Sequence, residues 1–177
     1  MSRPVLLLDV DGVLCPVRDN ERPGGYHAPS AEFRSASYEH WGTGETIELW
    51  ISPSNAERLA LLAKVFEIVW ATGWAHHANR VIGPLHGLPD LRFVELSWSE
   101  DMRSLESSWK LPAVARYVGD DQPCVWIDDD IRPDTEQWAA NRPGRTLLIP
   151  VDHRVGLTDQ AVERALSFAH AEGGSSS

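Results

Sequence analysis

Five short apolar runs recur along this 177-residue chain, separated by stretches of helical or loop character. A run that is apolar at nearly every position is typical of a strand covered on both faces, and helices between such strands supply parallel crossovers. The runs are VLLLDV (5–10), FEIVWAT (66–72), RFVELSW (92–98), CVWIDD (124–129) and TLLIPV (146–151). They predict an α/β fold, a Rossmann-like three-layer sandwich around a central, mostly parallel five-stranded sheet.

The helices of this fold are marked by start signals and apolar periodicity. Ser54 and Glu57 have the spacing of a capping box and precede apolar residues at helical intervals, which predicts the first helix. A second helix is expected to begin near Trp74 or Ala75 and to end before Gly83-Pro84. The remaining helices are expected over about 111–118, 135–140 and 158–171.

The segment 16–53 departs from this rhythm, because it is rich in Gly, Pro, Ser and charged residues. Residues 46–51 roughly alternate polar and apolar side chains, and GTGE at 42–45 suits a turn, so a β-hairpin is expected there. We expect a single domain over 1–171, with the insertion 16–53 as a flap or minimal cap, followed by a disordered tail at 172–177.

Composition restricts the class of protein. No apolar run approaches the roughly 20 residues that span a bilayer, and the N-terminal segment lacks the features of a secretory signal, so we expect a cytoplasmic protein with no membrane partner. The formal net charge of −10 repels polyanions at long range, which argues against general nucleic-acid binding. Cys15 and Cys124 belong to no CxxC pair and are expected to be reduced packing residues.

Polar and charged residues stand where the predicted strands end. Asp9 and Asp11 end the first strand, Thr72-Gly73 the second and Asp128-Asp129 the fourth, while Lys110 opens a helix just before the fourth strand. The carboxyl ends of parallel strands gather at one edge of a sheet, where ligands bind. Four carboxylates at one edge repel one another unless a hard divalent cation and an ammonium balance them. The pattern therefore predicts a Mg²⁺ site.

These motifs resemble those of the haloacid dehalogenase-like (HAD) superfamily, a family of mostly Mg²⁺-dependent phosphatases and phosphotransferases. The first motif is Asp9-Val10-Asp11-Gly12-Val13, the second Thr72, the third Lys110 and the fourth Asp128-Asp129, and their order and spacing fit over nearly the whole chain. At finer grain, LDVDGVL, ATGWAHHAN and WIDDD look like the small HAD domain of Swiss Army Knife RNA-repair proteins.

The resemblance implies a role for each motif residue. Asp9 is the implied nucleophile, which forms an aspartyl-phosphate, and Asp11 is the implied general acid and base. Thr72 and the N–H of Gly73 are implied to bind a phosphoryl oxygen, and Lys110 to neutralise the nucleophile and the phosphoryl charge. The implied metal ligands are Asp9, the backbone carbonyl of Asp11, Asp128 and Asp129.

Several residues near this edge also have structural interpretations. Thr72 can be a simple strand-end hydroxyl and Lys110 a solvated lysine, and three consecutive acids leave the metal register open between Asp129 and Asp130. A tryptophan here can stack on a base, although packing is its commoner role. The tryptophans concerned are Trp50, Trp74, Trp98, Trp109 and Trp126. Four residues after Thr72 have two open interpretations each, as substrate contacts or as part of a solvated helix face. They are His76, His77, Asn79 and Arg80.

The combined interpretation is a Mg²⁺-dependent phosphomonoester hydrolase that acts through an aspartyl-phosphate on a phosphorylated small molecule or macromolecular end. Two alternatives stay open: a polynucleotide-end phosphatase in nucleic-acid repair, and a non-catalytic phosphate-binding domain. The stretch from Gly73 to Trp109 is too short for a second cap domain. We therefore expect a site that is only partly roofed by residues 16–53.

Overall fold

The structure, a computed structural model, describes residues 3–17, 33–96 and 107–171. Its strands are β1 (Val5–Leu8), β2 (Arg34–Glu39), β3 (Thr46–Ile51), β4 (Glu67–Trp70), β5 (Arg92–Phe93), β6 (Cys124–Asp128) and β7 (Thr146–Pro150). Five of them form a parallel sheet in the order β5-β4-β1-β6-β7, and β2 and β3 pair separately as an antiparallel hairpin. The predicted α/β fold with a five-stranded parallel sheet and a hairpin insertion is confirmed.

Helices connect the strands of the parallel sheet. Within the described residues they are α1 (Ser54–Leu62), α2 (His77–Leu85), α3 (Leu111–Val118), α4 (Pro133–Asn141) and α5 (Asp159–His170). The bounds of α3 agree with the predicted range, and those of α4 and α5 lie within two residues of theirs.

Two helix boundaries differ from the prediction. The capping box is wrong, because the backbone of Pro53 is already helical (φ −57°, ψ −30°) and Ser54 is therefore the first helical residue, with no side-chain cap. The second helix, α2, starts later than predicted and continues through Gly83-Pro84 to Leu85. Pro84 lies one residue before the end of this helix, so it interrupts the helical hydrogen bonds only at the C-terminal end.

Some predictions fall on residues outside those described. They are the first half of the insertion at 18–32, the end of the third apolar run with Trp98, and the tail at 172–177. The described part of the third run forms only the two-residue β5 at the edge of the sheet.

The sheet separates two apolar cores. Leu6 and Leu8 of β1 belong to one cluster and Val5 and Leu7 to the other, because successive side chains of a strand point to opposite faces. The first cluster includes side chains of α1, α2 and α5; the second includes side chains of α3 and is joined by Trp138 of α4. Because both faces of β1 are covered, the polar residues that follow it emerge at the carboxyl edge of the sheet.

The register sets the neighbours at this edge. Leu8, the last residue of β1, pairs with Ile127 of β6, and the Asp9 N–H donates to the Ile127 carbonyl at 3.2 Å. Asp9 and Asp128 therefore lie side by side at the carboxyl ends of adjacent strands. Thr72 follows β4, the neighbour of β1 on its other side.

The hairpin formed by β2 and β3 turns through residues 40–45, close to the predicted turn at 42–45. The Gly44 N–H donates to the His40 carbonyl at 2.8 Å, and His40 Nδ1 accepts the backbone N–H groups of Gly42 and Thr43. Gly44 has a φ of +71°, a conformation that glycine adopts without a steric cost. The turn thus orders the tip of the insertion by local hydrogen bonds.

Two expectations from composition can be compared with the described residues. None of their helices has the length and apolar character required to cross a bilayer. Cys15 and Cys124 are both buried and free, as predicted for packing residues.

Candidate active site

Three carboxylates meet at the carboxyl edge of the sheet. Asp9 directly follows β1, Asp128 ends β6 and Asp129 is the next residue. One carboxylate oxygen from each lies within 4.8 Å of the other two. Asp9 and Asp128 are buried, so solvent screens their mutual repulsion weakly. This negative charge has to be balanced locally.

Lys110 supplies part of the balance. It lies directly before α3, and its Nζ is 2.7 Å from Asp9 Oδ2 and 2.7 Å from Asp128 Oδ2. Burial lowers the pKa of this ammonium, but the two carboxylates outweigh burial, and the net shift is upward. Lys110 is therefore a buried cation that bridges two strand ends, and not a solvated lysine.

One ammonium does not compensate three carboxylates. Burial raises the pKa of Asp9 well above its usual range although Lys110 opposes the shift, and Asp128 and Asp11 add to it. Burial, and then the charge of Asp128, raise the pKa of Asp129 to about 6. With one ammonium for three carboxyl groups, this edge disfavours the ionised forms of Asp9 and Asp129.

The donor set fits a hard divalent cation. One carboxylate oxygen from each of three residues lies within 4.8 Å of the other two, so the three can converge on one ion, and Mg²⁺ prefers oxygen ligands of this kind. A cation bound here would also favour the ionised forms of Asp9 and Asp129, which the protein alone disfavours. The three residues of this carboxylate cluster are Asp9, Asp128 and Asp129.

Asp128 is held firmly in this arrangement. The indole N–H of Trp126, two residues earlier on β6, donates to Asp128 Oδ2 at 3.0 Å, and the Asp130 N–H donates to Asp128 Oδ1 at 2.9 Å. Trp126 is buried, so it packs and donates and is not available for stacking on a base. The carboxylate of Asp130 pairs with Arg132 and is not part of the carboxylate cluster.

Gly12 allows the first loop to approach Asp129. Its φ is +73°, in the left-handed region that favours glycine. A Cβ at this position would lie 2.5 Å from Asp129 Oδ2, closer than any real contact. Both conformation and space therefore require glycine here.

Asp11 lies in the same loop but outside the carboxylate cluster. Its half-buried side chain accepts a hydrogen bond at Oδ2 from the indole N–H of Trp74, at 3.0 Å. Trp74 belongs to the segment that follows β4. The contact thus joins the first motif to the residues directly after the second.

Thr72 and Gly73 form that second motif. Thr72 is buried, and its Oγ1 accepts the N–H of Trp74 at 3.4 Å. Gly73 is exposed, and a Cβ on it would lie 3.7 Å from the ring of Trp109. The helix α2 starts only at His77, so Gly73 precedes the helix by four residues and is not at its N-terminus.

Comparison with known proteins bears directly on these motifs. Residues 5–162 match the family described as the HAD domain in Swiss Army Knife RNA repair proteins. The chain belongs to this HAD family. The match includes all the residues of the carboxyl edge described above, and it confirms the resemblance inferred from the motifs.

Solved structures similar to this HAD domain include two of an RNA polymerase II CTD phosphatase. One is of Fcp1, with 19% sequence identity, a TM-score of 0.44, and coverage of 96% of this chain and 48% of that chain. The other is of a fission yeast Fcp1 variant bound to beryllium fluoride, with 18% identity, a TM-score of 0.43, and coverage of 96% and 50%. The HAD domain spans about half the length of each. A search of curated proteins finds no match.

The hairpin of the HAD domain packs on the segment after β4 through an aromatic cluster, which consists of Tyr38, His40, Trp41, Trp74 and His77. Trp41 stacks on His77 with ring centroids 4.0 Å apart and an interplanar angle of 7°. Tyr38 and Trp41 contact Trp74 at 4.9 and 5.2 Å. Trp74 therefore lies between the hairpin and Asp11.

The other residues that follow the second motif divide into two groups. Asn79 is structural: its Oδ1 accepts the indole N–H of Trp70 at 2.7 Å and the Leu91 N–H at 2.9 Å. His76 and Arg80 are exposed.

Sequence reasoning missed a support for Lys110. Asp134, in the first turn of α4, accepts the Ser108 N–H at 3.0 and 2.9 Å with its two oxygens, and Ser108 Oγ accepts the Lys110 N–H at 3.3 Å. The contact joins residues 26 positions apart, so periodicity alone could not reveal it. Its only sequence signal is an acid in the first turn of a helix.

Proposed function

We propose that this HAD domain is a Mg²⁺-dependent phosphomonoester hydrolase that acts through an aspartyl-phosphate. The observation that supports it most is the Lys110 ammonium, 2.7 Å from both Asp9 and Asp128. A carboxylate that attacks a phosphoryl group needs adjacent positive charge, because nucleophile and target are both negative. A buried lysine held between two strand ends supplies that charge in a fixed place.

The residues that would hold Mg²⁺ are Asp9, Asp128 and Asp129. The resemblance to the HAD motifs adds the backbone carbonyl of Asp11 as a further ligand. When bound, the ion would neutralise phosphoryl charge, and it would oppose the rise in the pKa of Asp9 that burial, and then the charges of Asp128 and Asp11, produce.

In the first step a carboxylate oxygen of Asp9 forms a bond to phosphorus while the ester P–O bond breaks. The Asp11 carboxyl gives its proton to the leaving oxygen, which departs as an alcohol. Lys110 stabilises the charge on the transferring group, and the Thr72 hydroxyl and the Gly73 N–H donate hydrogen bonds to phosphoryl oxygens. The product of this step is the aspartyl-phosphate.

In the second step Asp11, now a carboxylate, takes a proton from water. The water oxygen forms a bond to phosphorus while the P–O bond to Asp9 breaks. Inorganic phosphate leaves, and both carboxyl groups return to their starting states.

A phosphorylated polynucleotide end is a second candidate substrate. The description of the family as a domain of RNA repair proteins favours it. The net charge of −10 means that such contact would be confined to the phosphorylated end.

A phosphate-release assay tests the proposal. Wild-type protein with Mg²⁺ is compared on sugar phosphates, an activated aryl phosphate, and 3′- and 5′-phosphorylated oligonucleotides. We expect release that excess chelator eliminates and added Mg²⁺ restores, and that Asp9→Asn abolishes, because an amide is a poor nucleophile.

The outcome also separates the candidates. Faster release from the oligonucleotides than from sugar phosphates would support the polynucleotide end as substrate. Wild-type protein that binds Mg²⁺ and phosphate but turns over none of these esters would overturn the proposal and identify a non-catalytic phosphate-binding domain.

A further inference from the structure

A buried indole reaches the proposed acid and base. Trp74 is only 4% exposed, yet its Nε1 donates to Asp11 Oδ2 at 3.0 Å. The four motifs named above, at Asp9 to Val13, Thr72, Lys110 and Asp128-Asp129, do not include Trp74. The hydrogen bond therefore needs its own explanation.

The bond restricts how the Asp11 carboxyl can act. An indole N–H is a donor only, so Oδ2 is an acceptor in this pair whether or not the carboxyl carries a proton. An unprotonated carboxyl oxygen accepts a hydrogen bond better than a protonated one, so this contact favours a proton on Oδ1. Trp74 thus favours Oδ1 as the Asp11 oxygen that exchanges protons with the leaving group, and its hydrogen bond to Oδ2 restrains the orientation of the carboxyl group.

The position of Trp74 is in turn fixed from two sides. Its own segment follows β4 closely, where the Ala75 N–H donates to the Thr72 carbonyl at 3.1 Å, and Ala75 has an unusual φ of +47°. On the other side the hairpin rings of Tyr38 and Trp41 pack against the Trp74 indole at 4.9 and 5.2 Å. The hairpin is therefore in contact with the residue that orients Asp11.

We propose that Trp74 is a positioning residue for Asp11, and that the hairpin, through Tyr38 and Trp41, maintains it. This inference rests on the proposed phosphatase function, because it concerns the proton that Asp11 gives to the leaving oxygen. The hairpin then has a task beyond covering the site: it supports proton transfer to the leaving group.

Leaving-group dependence distinguishes this role from a merely structural one. An alkyl phosphate releases a basic alkoxide and needs the proton, whereas an activated aryl phosphate releases a stable phenolate and needs it little. Loss of the indole N–H should therefore slow alkyl esters selectively. General disorder of the site would slow both classes alike.

Trp74→Phe removes the N–H and keeps an aromatic ring for the hairpin to pack on. General acid catalysis typically raises the rate about 10²–10⁴-fold, and a misoriented Asp11 carboxyl would supply only part of that gain. We therefore expect kcat for an alkyl phosphate to fall about 10- to 100-fold. For an activated aryl phosphate we expect a fall of about threefold or less, and KM should change little for either.

Trp70→Phe is the matched control. Trp70 is also buried and also donates its indole N–H to a side chain, but the acceptor is Asn79 Oδ1 at 2.7 Å and not Asp11. This variant should lower the melting temperature without changing the ratio of alkyl to aryl kcat. Trp41→Ala should change that ratio as Trp74→Phe does, and the two effects should be less than additive because they act through one contact.

A measurement without turnover tests the bond itself. In an amide and indole correlation spectrum of ¹⁵N-labelled protein, Trp74→Phe identifies the Trp74 indole signal by its disappearance. Asp11→Ala should move that signal and leave the Trp70 indole signal in place.

The possible failures are distinguishable. Wild-type protein that hydrolyses neither ester refutes the proposed function. Wild-type protein that hydrolyses both, with equal losses on both esters in folded Trp74→Phe, refutes the positioning role alone. An indole signal that does not respond to Asp11→Ala also refutes it.

Discussion

Replacing Lys110 with Met tests how much its ammonium stabilises the carboxyl edge of this domain. The change keeps an unbranched side chain of similar length and removes a charge that lies 2.7 Å from both Asp9 and Asp128. The two buried carboxylates would then face each other, with Asp129 beside them and without the ammonium. We expect the metal-free variant to be markedly less stable than wild type.

The magnitude follows from the geometry. At 2.7 Å and an effective dielectric constant of about 20, each ammonium–carboxylate pair attracts with about 6 kcal/mol before desolvation is counted. Desolvation of the lysine offsets much of this, and removing one partner of a buried ion pair typically lowers the free energy of unfolding by about 3–5 kcal/mol. Protonation of Asp9, whose pKa is already raised by burial, limits the loss. We expect about 3 kcal/mol, or a melting temperature lower by about 6–12 °C.

Thermal unfolding with and without Mg²⁺ measures this loss. Lys64→Met, at the chain's only other lysine, is the control, because Lys64 is exposed. Mg²⁺ should stabilise Lys110→Met more than wild type, because the ion then compensates an edge with one positive charge fewer. An unchanged melting temperature in metal-free Lys110→Met, or an equal change in Lys64→Met, would refute the reasoning.

Four further outcomes are expected. Asp11→Asn should reduce kcat more for alkyl than for activated aryl phosphates, and equal losses would assign Asp11 a structural or metal-binding role. Gly12→Ala should weaken Mg²⁺ binding about tenfold or more in a titration, because its Cβ would come 2.5 Å from Asp129 Oδ2; unchanged affinity would contradict that geometry. Calorimetry should show weaker Mg²⁺ binding in Asp128→Ala than in Asp130→Ala. The reverse order would show that Asp128-Asp129 is the wrong choice for the acidic pair and that Asp130 belongs to it. In metal-free protein, the pKa of Asp129 is raised to about 6, so the folded state binds this proton more tightly than the unfolded state does. The free energy of unfolding should therefore fall as pH rises from about 4 to about 6. Asp129→Asn should reduce that dependence on pH.

The sheet and the carboxylate cluster were predictable for one physical reason. Strands buried on both faces must be apolar throughout, so their sequence signal is strong and its end is marked by the first charged residue. Asp9 and Asp128 stand at two such ends, and the parallel register then brings them side by side. Their proximity thus depends on features that a single sequence carries.

Other features depend on backbone geometry or distant contacts that a sequence pattern does not carry. The Ser54 and Glu57 spacing suits a capping box only if the chain is extended at Ser54, whereas Pro53 is already helical. The hydrogen bond between Trp74 and Asp11 spans 63 positions and follows from the conformation of the segment after β4, including the positive φ of Ala75. Such contacts require the tertiary structure.

The site therefore divides into two parts with different origins. The charged part, Asp9, Lys110 and Asp128, is set by the register of adjacent strands and by the helix that follows Lys110. The part to which we assign proton transfer, Asp11 and Trp74, is set by loops and by a hairpin that belongs to a separate sheet. The hairpin contacts Trp74 through its rings, and among the described residues it pairs with no strand of the central sheet. We therefore expect changes in the hairpin to alter leaving-group preference while the carboxylate cluster keeps its geometry.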